Sequence, residues 1–158
     1  TFYLFGRTIE SFFKSSLGFI PGSIAFILLY LGGLLFSILP TYLKEKDNYY
    51  YKGLGASGAV SAVVFAFILI FPMSLMGILF IPIRLPAFLF GFIFVFISMY
   101  LDKNQVGGIN HSAHVAGGLF GVVMTAAVFL VLLQNNLLVA FLHKIQITSL
   151  SQLIYFGI

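Results

Sequence analysis

An all-α bundle of transmembrane helices is the fold class this sequence predicts, and three observations predict it. Hydrophobic residues make up 61% of the 158 residues and charged residues only 8%, whereas charged side chains fill about a quarter of a soluble domain. Mean hydropathy is +1.11. Several apolar runs approach or exceed the roughly 20 residues that cross a bilayer as helix.

Composition also excludes chemistries. There is no cysteine, so disulfides, thiol nucleophiles and thiolate metal sites are ruled out. The net charge of +4 is spread thinly over loops and tail, with no basic stripe. No nucleic-acid partner is expected, and the cations suit anchoring to the headgroups of a lipid bilayer.

Taken in order, residues 1–14 read as the last turns of a span, ending at Arg7, Glu10 and Lys14. The chain starts without methionine and already apolar, which predicts a fragment of a longer protein. Residues 19–40 form a full span, with Gly32-Gly33 permitting close helix contact. Residues 41–52 are a polar loop, closed by Tyr49-Tyr50-Tyr51 at the headgroup boundary. Residues 53–71 form a span whose first half, Gly55-Ala56-Ser57-Gly58-Ala59-Val60-Ser61-Ala62, is small nearly all round. A helix of that kind belongs at the centre of a bundle, where close packing holds spans together.

Residues 73–85 are a connection with Pro82, Arg84 and then Pro86. A phenylalanine-rich span covers about 85–101, facing lipid or filling a gap. A turn at 102–109 contains Gly107-Gly108, and 110–133 is a span opening on Asn110-His111-Ser112-Ala113-His114. The expected organisation is one transmembrane domain, 1–133, and a tail, 134–158, that lies on the membrane surface or packs as a short helix. Lysines and arginines divide equally between the two sides, so the positive-inside rule assigns no orientation.

Ser57 and His114 are the candidate nucleophile and base. The span after 53 leaves the side of the polar loop, the next returns, and the span after 110 leaves it again. Ser57 then lies roughly 7 Å deep and His114 roughly 6 Å, at 1.5 Å rise per residue. Equal depth on one face is what a contacting pair requires. A serine in an apolar helix usually bonds to its own helix or simply packs, but an ionisable group inside a span is a functional candidate by default. His114, Gly117 and Gly121 share one helical stripe, and the two glycines let that stripe press on a neighbour. His111 is rotated by about 60° from His114, one turn nearer the water, and reads as a boundary residue.

The acids Glu10, Glu45, Asp47 and Asp102 all fall at span ends or in loops. A serine–histidine dyad is therefore expected rather than a triad with a carboxylate. His111 and His114 with a distant Asp102 make too thin a ligand set for metal, and neither metal nor cofactor is expected.

At these residues the sequence resembles the rhomboid intramembrane serine proteases. Gly55-Ala56-Ser57-Gly58 resembles their G-x-S-G nucleophile motif, and Ala113-His114-Val115-Ala116-Gly117-Gly118-Leu119-Phe120-Gly121 their A-H-x-x-G-x-x-x-G helix. Gly6-Arg7-Thr8-Ile9-Glu10 is similar to the end of the family's second span, with Glu10 in the place of its glutamate. The resemblance runs from Thr1 to about Leu133. It implies a six-helix core of which this chain lacks the first helix and most of the second, together with an H-x-x-x-N motif upstream whose side chains help hold the oxyanion. The fragment alone is accordingly expected to be inactive. Ser61 departs from the family, where an aromatic ring often packs on the catalytic imidazole.

The resemblance further implies an intramembrane endopeptidase acting on transmembrane protein substrates near the membrane surface, with Gly55, Ala56 and Gly58 shaping the nucleophile loop. A multi-pass location, in a bacterial inner membrane, is expected. The alternative is a non-catalytic relative that binds transmembrane clients, which would need neither Ser57 nor His114. A channel or carrier would carry charged intramembrane residues or broken helices, and neither is evident.

Overall fold

Small side chains decide which helix lies in the middle. The computed structural model describes residues 2–50, 56–77, 83–103, 110–145 and 153–156. Gly55, Lys52, Pro82 and the turn at Gly107-Gly108 lie outside the described residues. The described elements run α1 Phe2–Leu17, α2 Phe19–Glu45, α3 Ser57–Ile70, β1 Leu75–Gly77, β2 Ile83–Pro86, α4 Ala87–Lys103, α5 His111–Leu133, α6 Leu137–Lys144 and β3 Tyr155–Phe156. The fold is the all-α helical bundle that composition predicts.

On α1, Gly6, Ile9 and Phe13 are buried, spaced by three and four so that they share one face. The chain reverses at Gly18, whose φ of 94° suits only glycine at little cost. Gly22 then lets the start of α2 rest on the backbone of Phe13 and Lys14. Along α2, Gly33 faces Ala59 and Ala62, and Ser37 faces Gly58, so α2 and α3 run antiparallel. On α5, Gly117 meets Gly58 and Gly121 meets Ala62, so α3 and α5 run parallel.

Helix α3 is thereby enclosed. Its Val63, Ala66, Leu69 and Ile70 form the core with Ile9, Phe13, Leu29 and Phe129. Outward-facing positions are instead greasy: Leu31, Leu35, Phe92, Phe96, Leu119 and Val123 are all exposed. An exposed apolar surface of that extent marks a face that meets lipid or protein. Helices α2 and α5 are each long and apolar enough to cross a membrane.

Three details depart from the sequence reading, and the tail takes one of the two forms it allowed. Helix α2 does not stop at Pro40 but continues through Thr41 to Glu45, with Pro40 inside it; one missing N–H is tolerated where neighbouring groups compensate. The connection at 73–85 holds strands: β1 pairs antiparallel with β2, and β2 with β3 from the far end of the chain. Helix α4 begins at Ala87, after Pro86 has closed β2, with Ala87 N–H bonded to the Ser74 carbonyl at 2.8 Å. In the tail, α6 packs rather than lying free. Leu137 is buried and Phe141 leans on the core, while Lys144 Nζ donates to the Ile70 carbonyl at the end of α3.

Candidate active site

The site residues are brought together by backbones that touch. Gly58 is buried, and a Cβ there would overlap the Ser37 side chain and come within 3.1 Å of the Ala113 carbonyl. A Cβ on Gly117, one turn beyond His114, would overlap the Gly58 carbonyl oxygen. The residues beside Ser57 and beside His114 are therefore in direct contact. Ser57 opens α3 and is exposed, and His114 is half-buried on the first turn of α5. No hydrogen bond joins the Ser57 hydroxyl to the His114 imidazole in this structure; such bonds are often long without substrate and tighten when it binds.

The two helix starts are built differently. Helix α5 is capped: Asn110 Oδ1 accepts from Ala113 N–H at 3.0 Å and from Ser112 Oγ at 2.9 Å. Asp102, from the end of α4, accepts from Ser112 N–H at 3.1 Å, and Asn110 Nδ2 donates to Thr41 Oγ1 of α2. Its own cap and two neighbouring helices thus pin the turn that carries His114. Helix α3 starts at Ala56 with no side-chain cap. The first N–H groups of a helix have no partner within it, so those of Ser57, Gly58 and Ala59 point outward at its positive end.

Two rings surround His114. Phe94 of α4 lies 6.2 Å away between centroids, and His111 lies 6.2 Å away and nearly perpendicular, at 84°. The aromatic partner that Ser61 does not supply therefore comes from α4. Sequence reasoning missed Phe94 because nothing in a run of phenylalanines marks the one that faces a histidine.

His111 opens α5, and its side chain is tucked into the bundle. It is 9% exposed, more buried than His114, because Pro40 of α2 and Ser98 and Met99 of α4 enclose that flank of α5. Glu10 lies in α1, paired with Lys14 at 2.6 Å. Among the described residues no cluster of three or more metal-ligating side chains forms. Ser37 and Asn110 were also unmarked in sequence, although an asparagine directly before an apolar run is a standard cap signal.

Depth follows from α2. Ser37 is level with Gly58, and α2 continues from Ser37 to Glu45, about 12 Å further at 1.5 Å per residue. Ser57 is recessed below the end of the bundle.

A comparison with protein-family models matches the Rhomboid domain over residues 1–131. No curated protein and no solved structure matches the chain. The matched span takes in all of α1 to α4 and α5 through Val131, the two helix starts at the site among them: the chain belongs to the rhomboid family.

Proposed function

We propose that this membrane protein is a multi-pass intramembrane serine endopeptidase in which Ser57 is the nucleophile and His114 the general base. The observation that carries the proposal is the contact of Gly117 with Gly58, which sets the first turns of α3 and α5 side by side. In the reaction, Ser57 Oγ attacks the scissile carbonyl while His114 accepts its proton, then returns it to the leaving amine. Water, deprotonated by His114, hydrolyses the acyl-enzyme.

The oxyanion of the tetrahedral intermediate would rest on the uncapped start of α3. The N–H of Ser57 and its neighbours donate there, fixed in advance and free of competing caps. Phe94 and the capped start of α5 restrict where His114 can swing. No carboxylate among the described residues is hydrogen-bonded to His114, which supports a two-residue mechanism.

Substrates would be transmembrane helices, unwound near the recessed serine. Helix α4 is the proposed lateral gate. Only Ala87, Gly91 and Ser98 are buried along it, so it is held by little packing, the condition for an element that moves.

A fluorophosphonate probe applied to the full-length protein in detergent tests this. Labelling is expected in the parent and His111→Ala proteins and lost in Ser57→Ala and His114→Ala. A parent that is folded yet unlabelled would leave the family's non-catalytic client-binding role instead. Loss in His111→Ala with retention in His114→Ala would move the base to His111.

A further inference from the structure

We propose that the groove between α2, α4 and α5 binds the headgroup of an aminophospholipid of the phosphatidylethanolamine type. The groove has a volume of about 330 Å³, at the small end of ligand pockets, which span ~300–1,000 Å³. It lies on the flank of α5 opposite Gly117 and Gly121, as Ser112, Val115 and Ala116 in its wall show. It is therefore separate from Ser57.

Its lining is largely apolar, with its charged and imidazole groups gathered at one end. His111, Asp102 and Lys103 line it at the level where α4 ends and α5 begins, so these groups sit where the apolar helices give way to headgroups. Around it Leu39, Phe96 and Met99 are exposed. A ligand reaching polar groups past such a rim comes from the bilayer, not from water.

The polar groups are arranged for a ligand carrying both signs of charge. His111 is 9% exposed and makes no hydrogen bond among the described residues. It lines the groove, and a phosphate oxygen there would accept from its N–H. Lys103, with no ion-pair partner among the described residues, adds the positive charge that a phosphate favours. Asp102 uses Oδ1 for Ser112 N–H, which leaves Oδ2 to accept from an ammonium. A primary ammonium can donate that bond and a quaternary choline cannot. A glycerol headgroup has a phosphate for Lys103 but no ammonium to donate to Asp102.

Native mass spectrometry of the full-length protein, with equimolar phosphatidylethanolamine, phosphatidylcholine and phosphatidylglycerol of matched acyl chains, tests the assignment. Phosphatidylethanolamine should be retained about tenfold or more over the other two, the effect of one charge-assisted hydrogen bond. Asp102→Asn, which keeps an acceptor for Ser112 N–H, should abolish that preference, and Lys103→Gln should lower the retention of all three lipids. Lys44→Gln, at the same end of the bundle but outside the groove, should change neither. Equal retention of the three lipids, a preference for phosphatidylglycerol, or an unchanged preference in Asp102→Asn would overturn the proposal. Ser57→Ala should bind as the parent does, so the result stands or falls apart from proteolysis.

Discussion

At Gly117 a single hydrogen stands where any other residue has a carbon, and the approach of α5 to α3 depends on it. The Gly58 carbonyl occupies the space a side chain would take, and the Ala62 carbonyl does the same at Gly121. These neighbours are backbone and cannot rotate away. Gly117→Ala must therefore push the two helices apart, at about 1–3 kcal/mol for an overpacked contact. The effect on catalysis should exceed the effect on stability, since a 1 Å misplacement can cost about 100-fold in rate. Leu119→Ala, at an exposed position two residues on, is the control. Thermal denaturation in detergent and fluorophosphonate labelling rates should separate the two variants. Equal behaviour would mean that the glycine contact does not hold the pair.

At the scale of the element, what matters is that one helix start is tied down and the other left open. Asn110 caps α5 and also reaches Thr41 of α2, so it fixes both the helix end and its position in the bundle. Asn110→Ala should cost about 1 kcal/mol, the usual effect of a lost cap, with slower labelling of Ser57. Asn110→Ser, which restores a capping oxygen but cannot span to Thr41, should recover most of the stability and less of the rate. Melting temperature and labelling rate, measured on the same preparations, give both quantities.

The helices themselves were legible because hydropathy is a property of each run alone. The spans predicted at 19–40, 85–101 and 110–133 lie close to α2, α4 and α5. What was not legible depends on neighbours. Strand β2 needs β3 from some 70 residues downstream, and neither strand is long enough to show alternation. Counting residues gives a depth for His111 but not its bearing around α5, and it is the bearing toward α2 and α4 that buries it. The facing of Phe94 on His114 is of the same kind. Ser57 and His114 could be singled out because each is chemically unlike its surroundings.

For the whole molecule, the lengths of the helices set the wetness of the site. Helix α3 has 14 residues, about 21 Å at 1.5 Å per residue, against a hydrocarbon core of ~30 Å. Its far end is anchored by Lys144 on the Ile70 carbonyl, so the shortfall falls at the Ser57 end, below the rim made by α2. The proposed hydrolysis demands water there, which calls for a wet pit within an otherwise greasy bundle. These 158 residues hold no cysteine, so a thiol introduced among them is compared with the parent protein as its background. A membrane-impermeant maleimide, applied to the protein in vesicles made permeable to it, should label Lys44→Cys fast and Val123→Cys, on the apolar outer face of α5, not at all. Ser57→Cys should fall between them, and its labelling should slow further when a bulkier maleimide is used. Ser57→Cys as silent as Val123→Cys would describe a dry serine, and a dry serine cannot turn over an acyl-enzyme.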